Sequence, residues 1–494
     1  MKKLVLVACM AIGLLGSCKE DRDTHLPTEE GVNASFKLTL SLPQAKTRAV
    51  EHEATVAESE IENIYIFVFN QDGSTANDDS NGHFGPFYLS THFTDQGGGV
   101  YNMNSAVTTT AGIKVIYVAT NLSNNGLPTS YVSENAFLTA TADIHNQLIK
   151  YDNGEVETIV MIGKETETLE ASIEGNGDNT VYVDIERAVA RVITTSPATF
   201  QATWATPDDM TFTINKYFVT QDAHKSYLGP NFFADGRVKT LIHGKDPSAW
   251  SSVLNLYNPQ DYLSTAEQPD YLDIYADPDT YTGRAELERF YIGENAVNTA
   301  TSEAQFGNTT YAWVQTYASI TRTAKVNAAG DGIEYDAEGI TGGTDDLYII
   351  RVRGINDYIC NTANFESVAD FLEQDYPGNV FTYVYPKSYV YYRVYLNKTE
   401  TTENGIHKYN VYRNQFIHID VTGLNVDITK PGGFGSGYPG DKTDPEVPVD
   451  PTEPDTNNPD PVDPVDPIDE KEATLLVNIT VKPWVYVKNS TILE

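Results

Sequence analysis

Of three cysteines in 494 residues, two fall within the first 18, leaving Cys360 as the lone thiol in the body of the chain. No internal disulfide can form there, and Cys360 reads as a small buried hydrophobe rather than a nucleophile. Basic residues are scarce too: 33 Lys and Arg stand against 69 Asp and Glu, a formal net charge of −36. That balance excludes nucleic acid and anionic lipid as principal partners, since phosphate binding needs a basic surface. It serves solubility and self-repulsion instead. Beyond residues 4–15 no apolar run is long enough to span a bilayer as a helix. Helical patterning is sparse, with 367–374 as one short candidate capped by Ser367. His-Glu-x-x-His, Cys-x-x-Cys, P-loop and Gly-x-Ser-x-Gly patterns are missing, and nine histidines make no metal spacing. No enzyme activity, metal or cofactor is expected. The acidic loops 152–155 and 174–178 lack an EF-hand pattern and read as solvated turns.

What the chain does have is strand-forming sequence, including 31 Tyr among abundant Thr and Val. Strand-like runs fall at 35–42, 61–69, 113–121, 157–162, 180–195, 211–220, 310–317, 347–352, 380–385, 388–396 and 409–421, separated by turns such as Asn70-Gln71-Asp72-Gly73. Many short strands with long loops predict an all-β chain of antiparallel sandwiches. A Thr/Pro/Ala stretch at 196–209 marks the expected boundary, giving one β-sandwich over 49–205 and a larger one over 206–430. Residues 431–439, rich in glycine, precede no helix and open a linker rather than a nucleotide loop.

The two ends are more specific. Lys2 and Lys3, an apolar stretch to Leu15, and Gly16-Ser17-Cys18 resemble a bacterial lipobox, with 1–18 as the signal and Cys18 as the lipidated residue. Residues 431–471 form a Pro/Gly/Asp linker, and 441–470 hold eight of the 24 prolines. Beyond it, in 472–494, Leu475, Val477, Ile479, Val481, Val485 and Val487 share one parity, the mark of a strand with one buried face.

Residues 35–42 alternate in the same way, with Phe36, Leu38, Leu40 and Leu42 inward. Just after them, Arg48 precedes Ala49 in a basic, turn-like stretch suited to trypsin-like cleavage. Two readings stay open from the residues alone. In one, 19–48 is a propeptide whose strand is cut away, leaving an apolar groove for the C-terminal strand of another copy. Burying five or six Val, Ile or Leu side chains is then worth on the order of 10 kcal/mol. About thirty Pro-rich residues at ~3.1 Å each reach roughly 90 Å, well beyond a domain diameter of ~40–50 Å. Repeated head to tail, such a contact makes a filament. In the other reading, 35–42 is an ordinary first strand and the tail folds back on its own second domain.

The chain resembles the fimbrillins of Bacteroidales, specifically stalk subunits of minor (short) type V fimbriae. The resemblance runs in order through Cys18, Arg48 and Ala49, Ile61-Glu-Asn-Ile-Tyr-Ile-Phe-Val-Phe-Asn70, Lys114-Val-Ile-Tyr-Val-Ala-Thr-Asn121 and Ile185-Glu-Arg-Ala-Val-Ala-Arg191. It continues with Phe290-Tyr-Ile-Gly-Glu-Asn295, Asn308-Thr-Thr-Tyr311, Tyr391-Tyr-Arg-Val-Tyr-Leu-Asn397, Tyr412-Arg-Asn-Gln-Phe416 and Val481-Lys-Pro-Trp484. It implies two transthyretin-like antiparallel β-sandwich domains, a linker and a C-terminal donor strand. It also implies export as an outer-membrane lipoprotein, removal of residues up to Arg48 by an arginine-specific protease, and homopolymerisation by donor-strand exchange into an extracellular fimbrium. Anchor and tip subunits, and host or bacterial surface ligands for adhesion and biofilm formation, are the implied partners.

Arg187 and Arg191, four apart, are expected to make structural pairs within a domain, as are Arg413 and Asn414; Glu294 and Asn295 read as a turn. The alternative function is a surface glycan-binding lipoprotein using Trp204, Trp250, Trp313 and Trp484 as stacking platforms. A paired-carboxylate glycoside hydrolase comes third.

Overall fold

The computed structural model describes residues 32–42, 57–76, 82–152, 155–172, 179–202, 209–233, 237–255, 290–297, 307–352, 355–397 and 409–425, with short pieces at 272–273, 304–305, 441–442, 460–461 and 474–483. Cys18, Arg48, Ala49, Trp204, Trp484, Val485 and Val487 lie outside the described residues.

The chain is all-β, as the composition predicts. The first sandwich is built from β1 (Asn33–Ser41), β2 (Ile64–Asn70), β3 (Val100–Met103), β4 (Val107–Thr110), β5 (Gly112–Thr120), β6 (Met161–Leu169) and β7 (Asn179–Arg187). One layer runs in the order Phe84–Phe87, β2, β5, β6; the other runs β1, β3, Phe93–Gly97, with β4 beside the first half of β1. β7 belongs to both layers: residues 179–184 pair with β1 and 185–187 with β6. A Cβ on Gly163 of β6 would collide with the Asp184 carbonyl, so glycine is what lets β7 cross there.

β2 explains its own unbroken apolar run. Ile64, Ile66 and Val68 enter the sandwich core, whereas Tyr65, Phe67 and Phe69 enter a second core on the opposite face. A strand buried on both faces has no reason to alternate.

The second sandwich contains β8 (Ala190–Thr195), β9 (Met210–Thr220), β10 (Phe290–Ile292), β11 (Tyr311–Ile320), β12 (Leu347–Val352), β13 (Tyr389–Tyr395), β14 (Gln415–Asn425) and β15 (Thr474–Pro483). One layer is ordered β10, β8, β14, β15; the other is Thr199–Ala202, β9, β11, β13. β12 lies between Asp357–Cys360 and Val380–Tyr385 in a small sheet, against which helix α1 (Phe365–Asp375) packs. Ser367 is not the cap: Asn364 takes that place, and Ser367 lies one turn in, donating its hydroxyl to the Asn364 carbonyl at 2.9 Å. The expected single strand at 157–162 divides between Glu155–Ile159 and β6.

The two sandwiches share a topological device. In the first, the first strand lies parallel to the last, β1 on β7; in the second, the first strand lies parallel to the last but one, β8 on β14. The run 180–195, read above as one strand, is two, because Ala188 and Val189 carry the chain from β7 into β8. β8 and Thr199–Ala202 therefore pair within the second sandwich, and the chain passes between the sheet systems before residue 190 rather than at 196–209.

The sandwiches are joined by more than that crossing. Lys225–Tyr227 pairs with Thr141–Asp143, and one core takes Phe67, Tyr117 and Phe137 from the first together with Ile193, Tyr291 and Phe416 from the second.

Candidate functional site

β1 is an interior strand. Along one side residues 36–41 match 179–184 of β7 in parallel register. Along the other, Asn33–Phe36 matches Thr110–Val107 of β4, and Thr39–Ser41 matches Asn102–Val100 of β3, both antiparallel. Phe36, Leu38 and Leu40 are fully buried and Leu42 is 2% exposed, as their shared parity predicts. They pack with Ile64, Ile66, Met103, Val107, Val181 and Val183. Lys37 points outward.

Polar bonds fix the register. The Ser35 N–H donates to Ser172 Oγ at 2.6 Å, Asn179 Nδ2 donates to the Ser35 carbonyl at 2.8 Å, and Thr39 Oγ1 donates to Asn102 Oδ1 at 3.0 Å. Subtracting β1 would leave unpaired backbone on both flanks and an apolar trough between them.

The outer edges elsewhere in this sandwich are poor templates. Phe84–Phe87 contains Pro86, and Phe93–Gly97 ends in exposed Thr94, Asp95, Gln96 and Gly97. Proline and charge at an edge deter pairing with another chain.

The C-terminal strand lies on its own second sandwich. β15 pairs antiparallel with β14 over its whole length, placing Val477, Ile479 and Val481 opposite Val421, Ile419 and Ile417. Leu475 stands opposite Leu424 beyond a bulge. Among the described residues β15 is the last strand of its sheet and has a ladder partner on one side alone.

At the junction lies a buried charge cluster. Arg191 Nη1 meets both carboxylate oxygens of Glu58, at 3.1 and 3.2 Å, and Tyr291 donates its hydroxyl to Glu58 Oε1 at 2.6 Å. Arg187 Nε donates to the Glu58 carbonyl at 2.9 Å, and its Nη2 donates to Ser59 Oγ at 2.8 Å. Glu58, Arg187 and Arg191 are all fully buried, and desolvation lowers the Arg187 pKa to about 10. A second pair joins Arg413 Nη2 to Glu294 Oε2 at 2.6 Å, with Arg413 also reaching the carbonyls of Tyr227, Leu228 and Gly229.

The arginines are thus structural, as expected: Arg413 pairs with Glu294 within the second sandwich and Arg187 holds residues 58–59 of the first, while Arg191 of β8 reaches across the junction to Glu58. Glu294 and Asn295 are more than a turn: Asn295 Nδ2 donates to the Asn308 carbonyl and to Thr310 Oγ1, both at 2.9 Å. The one sequence signal for Glu58 was an acidic residue ahead of a strand, which carries no information about its partners.

Trp313 is 2% exposed and Trp250 3%, so neither offers a stacking face for a sugar. Cys360 is fully buried, and burial pushes its thiol pKa up. Among the described residues no three His, Cys, Asp or Glu side chains gather at metal-binding distance, and no helix is long and apolar enough to cross a membrane.

Comparison with known proteins adds to this geometry. A candidate cell adhesion protein of Parabacteroides distasonis is similar at 13% identity and a TM-score of 0.42, over 92% of this chain and 100% of that one. A candidate cell adhesion protein of Bacteroides eggerthii shows 13% identity and a TM-score of 0.39, over 93% and 98%. The tip fimbrial protein Mfa3 of Porphyromonas gingivalis shows 12% identity and a TM-score of 0.32, over 78% and 94%. No curated protein sequence matches. Residues 383–490, which include β13, β14 and β15, match the family described as major fimbrial subunit protein type IV, fimbrillin, C-terminal. Over this C-terminal region, and not over the rest of the chain, the sequence is similar to the fimbrillins.

Proposed function

We propose that the protein is the polymerising stalk subunit of a bacterial surface fimbria, exported as a lipoprotein through Cys18 and activated by cleavage between Arg48 and Ala49. Cleavage by an arginine-specific protease frees β1, and the C-terminal strand of a second copy takes its slot. Anchor and tip subunits complete the fimbria, which supports adhesion and biofilm formation. The role is structural rather than enzymatic.

The observation that carries this reading is the placement of β1 between β7 on one side and β3 and β4 on the other, with its apolar face fully buried. An empty slot of that kind exposes the partners of Phe36, Leu38, Leu40 and Leu42. Each such side chain is worth about 1.5–3 kcal/mol of burial, so refilling is worth on the order of 10 kcal/mol.

β15 has a physical reason to move. On β14 it is an edge strand with one ladder, whereas the slot offers ladder partners on both sides and a closed apolar trough. Leaving β14 costs one backbone ladder, and entering the slot restores pairing on two sides. Subunits linked in this way repeat head to tail without closing.

The test is limited digestion of the purified full chain with an arginine-specific protease. N-terminal sequencing at Ala49 together with SDS-resistant ladders is the expected result. Deleting residues 475–494 should abolish the ladders while leaving the sandwiches folded. Ladders that grow without cutting, or that persist without the tail, would sink the proposal.

A further inference from the structure

Residues 57–63 belong to no strand, yet they are held more tightly than a lead-in to β2 requires. The Glu58 carboxylate takes bonds from Arg191 and Tyr291, and the Glu58 carbonyl and Ser59 hydroxyl take bonds from Arg187. Asn121 grips the next residues. Its Nδ2 donates to the Glu60 carbonyl at 2.8 Å, its Oδ1 accepts the Glu62 N–H at 2.9 Å, and its N–H donates to the Asn63 carbonyl at 3.0 Å. Asn121 sits at φ +63°, a left-handed conformation that asparagine tolerates better than most residues. A fully buried ion pair carries a large desolvation cost and is a poor way to gain stability alone. Its use here fixes a position.

That position matters for β1. Ser41, at the exit of β1, is matched with Asp184, and Arg187 lies three residues further along the same strand. The clamped stretch therefore stands beside the end of the slot from which β1 would depart.

We propose that Glu58, with Arg187, Arg191, Tyr291 and Asn121, forms a retaining clamp that holds the chain end left by cleavage at the domain junction, so that β1 leaves without loosening β2. The inference rests on the cleavage reading above and concerns what stays behind rather than what is exchanged. In the uncut chain, residues 57–63 are held by the clamp and are also covalently continuous with the seated β1. After the cut the clamp acts alone. Weakening it should then show fully in the cut form and little in the uncut one. Glu58 is a positioning residue, and a merely structural ion pair would affect both forms equally.

The experiment compares wild type with Tyr291→Phe, which deletes one hydroxyl bond to Glu58 and keeps every charge. Amide exchange across residues 64–70 is followed by mass spectrometry in uncut protein and in protein freshly cut at Arg48, diluted to stay monomeric. Losing a hydrogen bond to a charged group predicts about tenfold faster exchange in the cut form, with little change in the uncut form. Glu58→Gln, which leaves Arg191 without its counter-charge, should act in the same direction and more strongly. Should Glu58→Gln not fold, Tyr291→Phe decides.

Equal effects in both forms, or none in either, overturn the clamp. Coupled exchange without ladders leaves the clamp standing and removes strand exchange. Ladders without coupled exchange do the reverse, and failure to cut at Arg48 overturns both.

Discussion

Leu40 and Val183 face each other in parallel register, both fully buried, one on β1 and the other on β7. If β1 is a temporary occupant, the two residues matter at different stages. Leu40→Ala should cost the uncut chain roughly 2–5 kcal/mol. In the assembled polymer it should be silent, because Leu40 is gone. Val183→Ala, on the wall of the slot, should weaken both states by about 0.5–3 kcal/mol. Urea unfolding of the uncut chain and heat dissociation of SDS-resistant ladders measure the two effects. A polymer weakened by Leu40→Ala would mean that β1 never left.

The tail makes a sharper prediction. Ile419 and Ile479 are directly matched across β14 and β15. Opposite residues in an antiparallel pair have Cβ atoms about 4.5–5.5 Å apart, near enough for a disulfide with slight adjustment. The double substitution Ile419→Cys with Ile479→Cys should therefore cross-link β15 to its own domain under oxidation. Oxidised protein cut at Arg48 should remain monomeric, and reductant should restore ladders on the same gel. Ladders from the oxidised form would mean that β15 stays in place and that any donated segment lies beyond Pro483.

Trp313 separates a structural aromatic from a sugar platform. It lies on β11, cross-strand from Phe218 and Arg393, with the Arg393 guanidinium 4.9 Å from its ring. Trp313→Ala should lower stability by about 3–5 kcal/mol. Glycan-array binding by the intact chain should be no different from background before or after the change. Loss of a specific glycan signal at unchanged stability would restore the glycan-binding alternative.

The parity of Phe36, Leu38, Leu40 and Leu42 was legible because period two is set by the backbone itself. Whether the strand is interior was not, since its flanks come from residues 59 to 143 positions away. The same limit hid the seat of β15: Val477, Ile479 and Val481 suit any apolar groove, and alternation does not say whose. Arg187 and Arg191 looked like a same-face pair on one strand, but Ala188 and Val189 divide that strand between sandwiches. Glu58, their common partner, lies about 130 residues upstream and carries no local pattern. Local periodicity reports which face is buried, and only the assembled sheets report against what.

Asp222 carries a pH dependence of its own. It is buried, with Oδ2 accepting from Asn255 Nδ2 at 3.0 Å and, among the described residues, no partner for Oδ1. Burial pushes its pKa up from 3.8 to about 7, and the Asn255 bond offsets that only in part. Below about pH 4 the carboxyl is protonated in folded and unfolded chains alike and has no effect. Between about pH 4 and 7 the unfolded chain gives up the proton while the folded one keeps it, so stability falls as pH rises. Above about pH 7 both are ionised, and the deficit levels off at on the order of 4 kcal/mol. Asp222→Asn keeps an acceptor for Asn255 and abolishes the titration. The variant should be more stable than wild type at pH 7.5, nearly equal to it at pH 4, and flatter in between. Urea unfolding at those two pH values checks the sign, and parallel curves for the two proteins would show that Asp222 stays ionised in the fold.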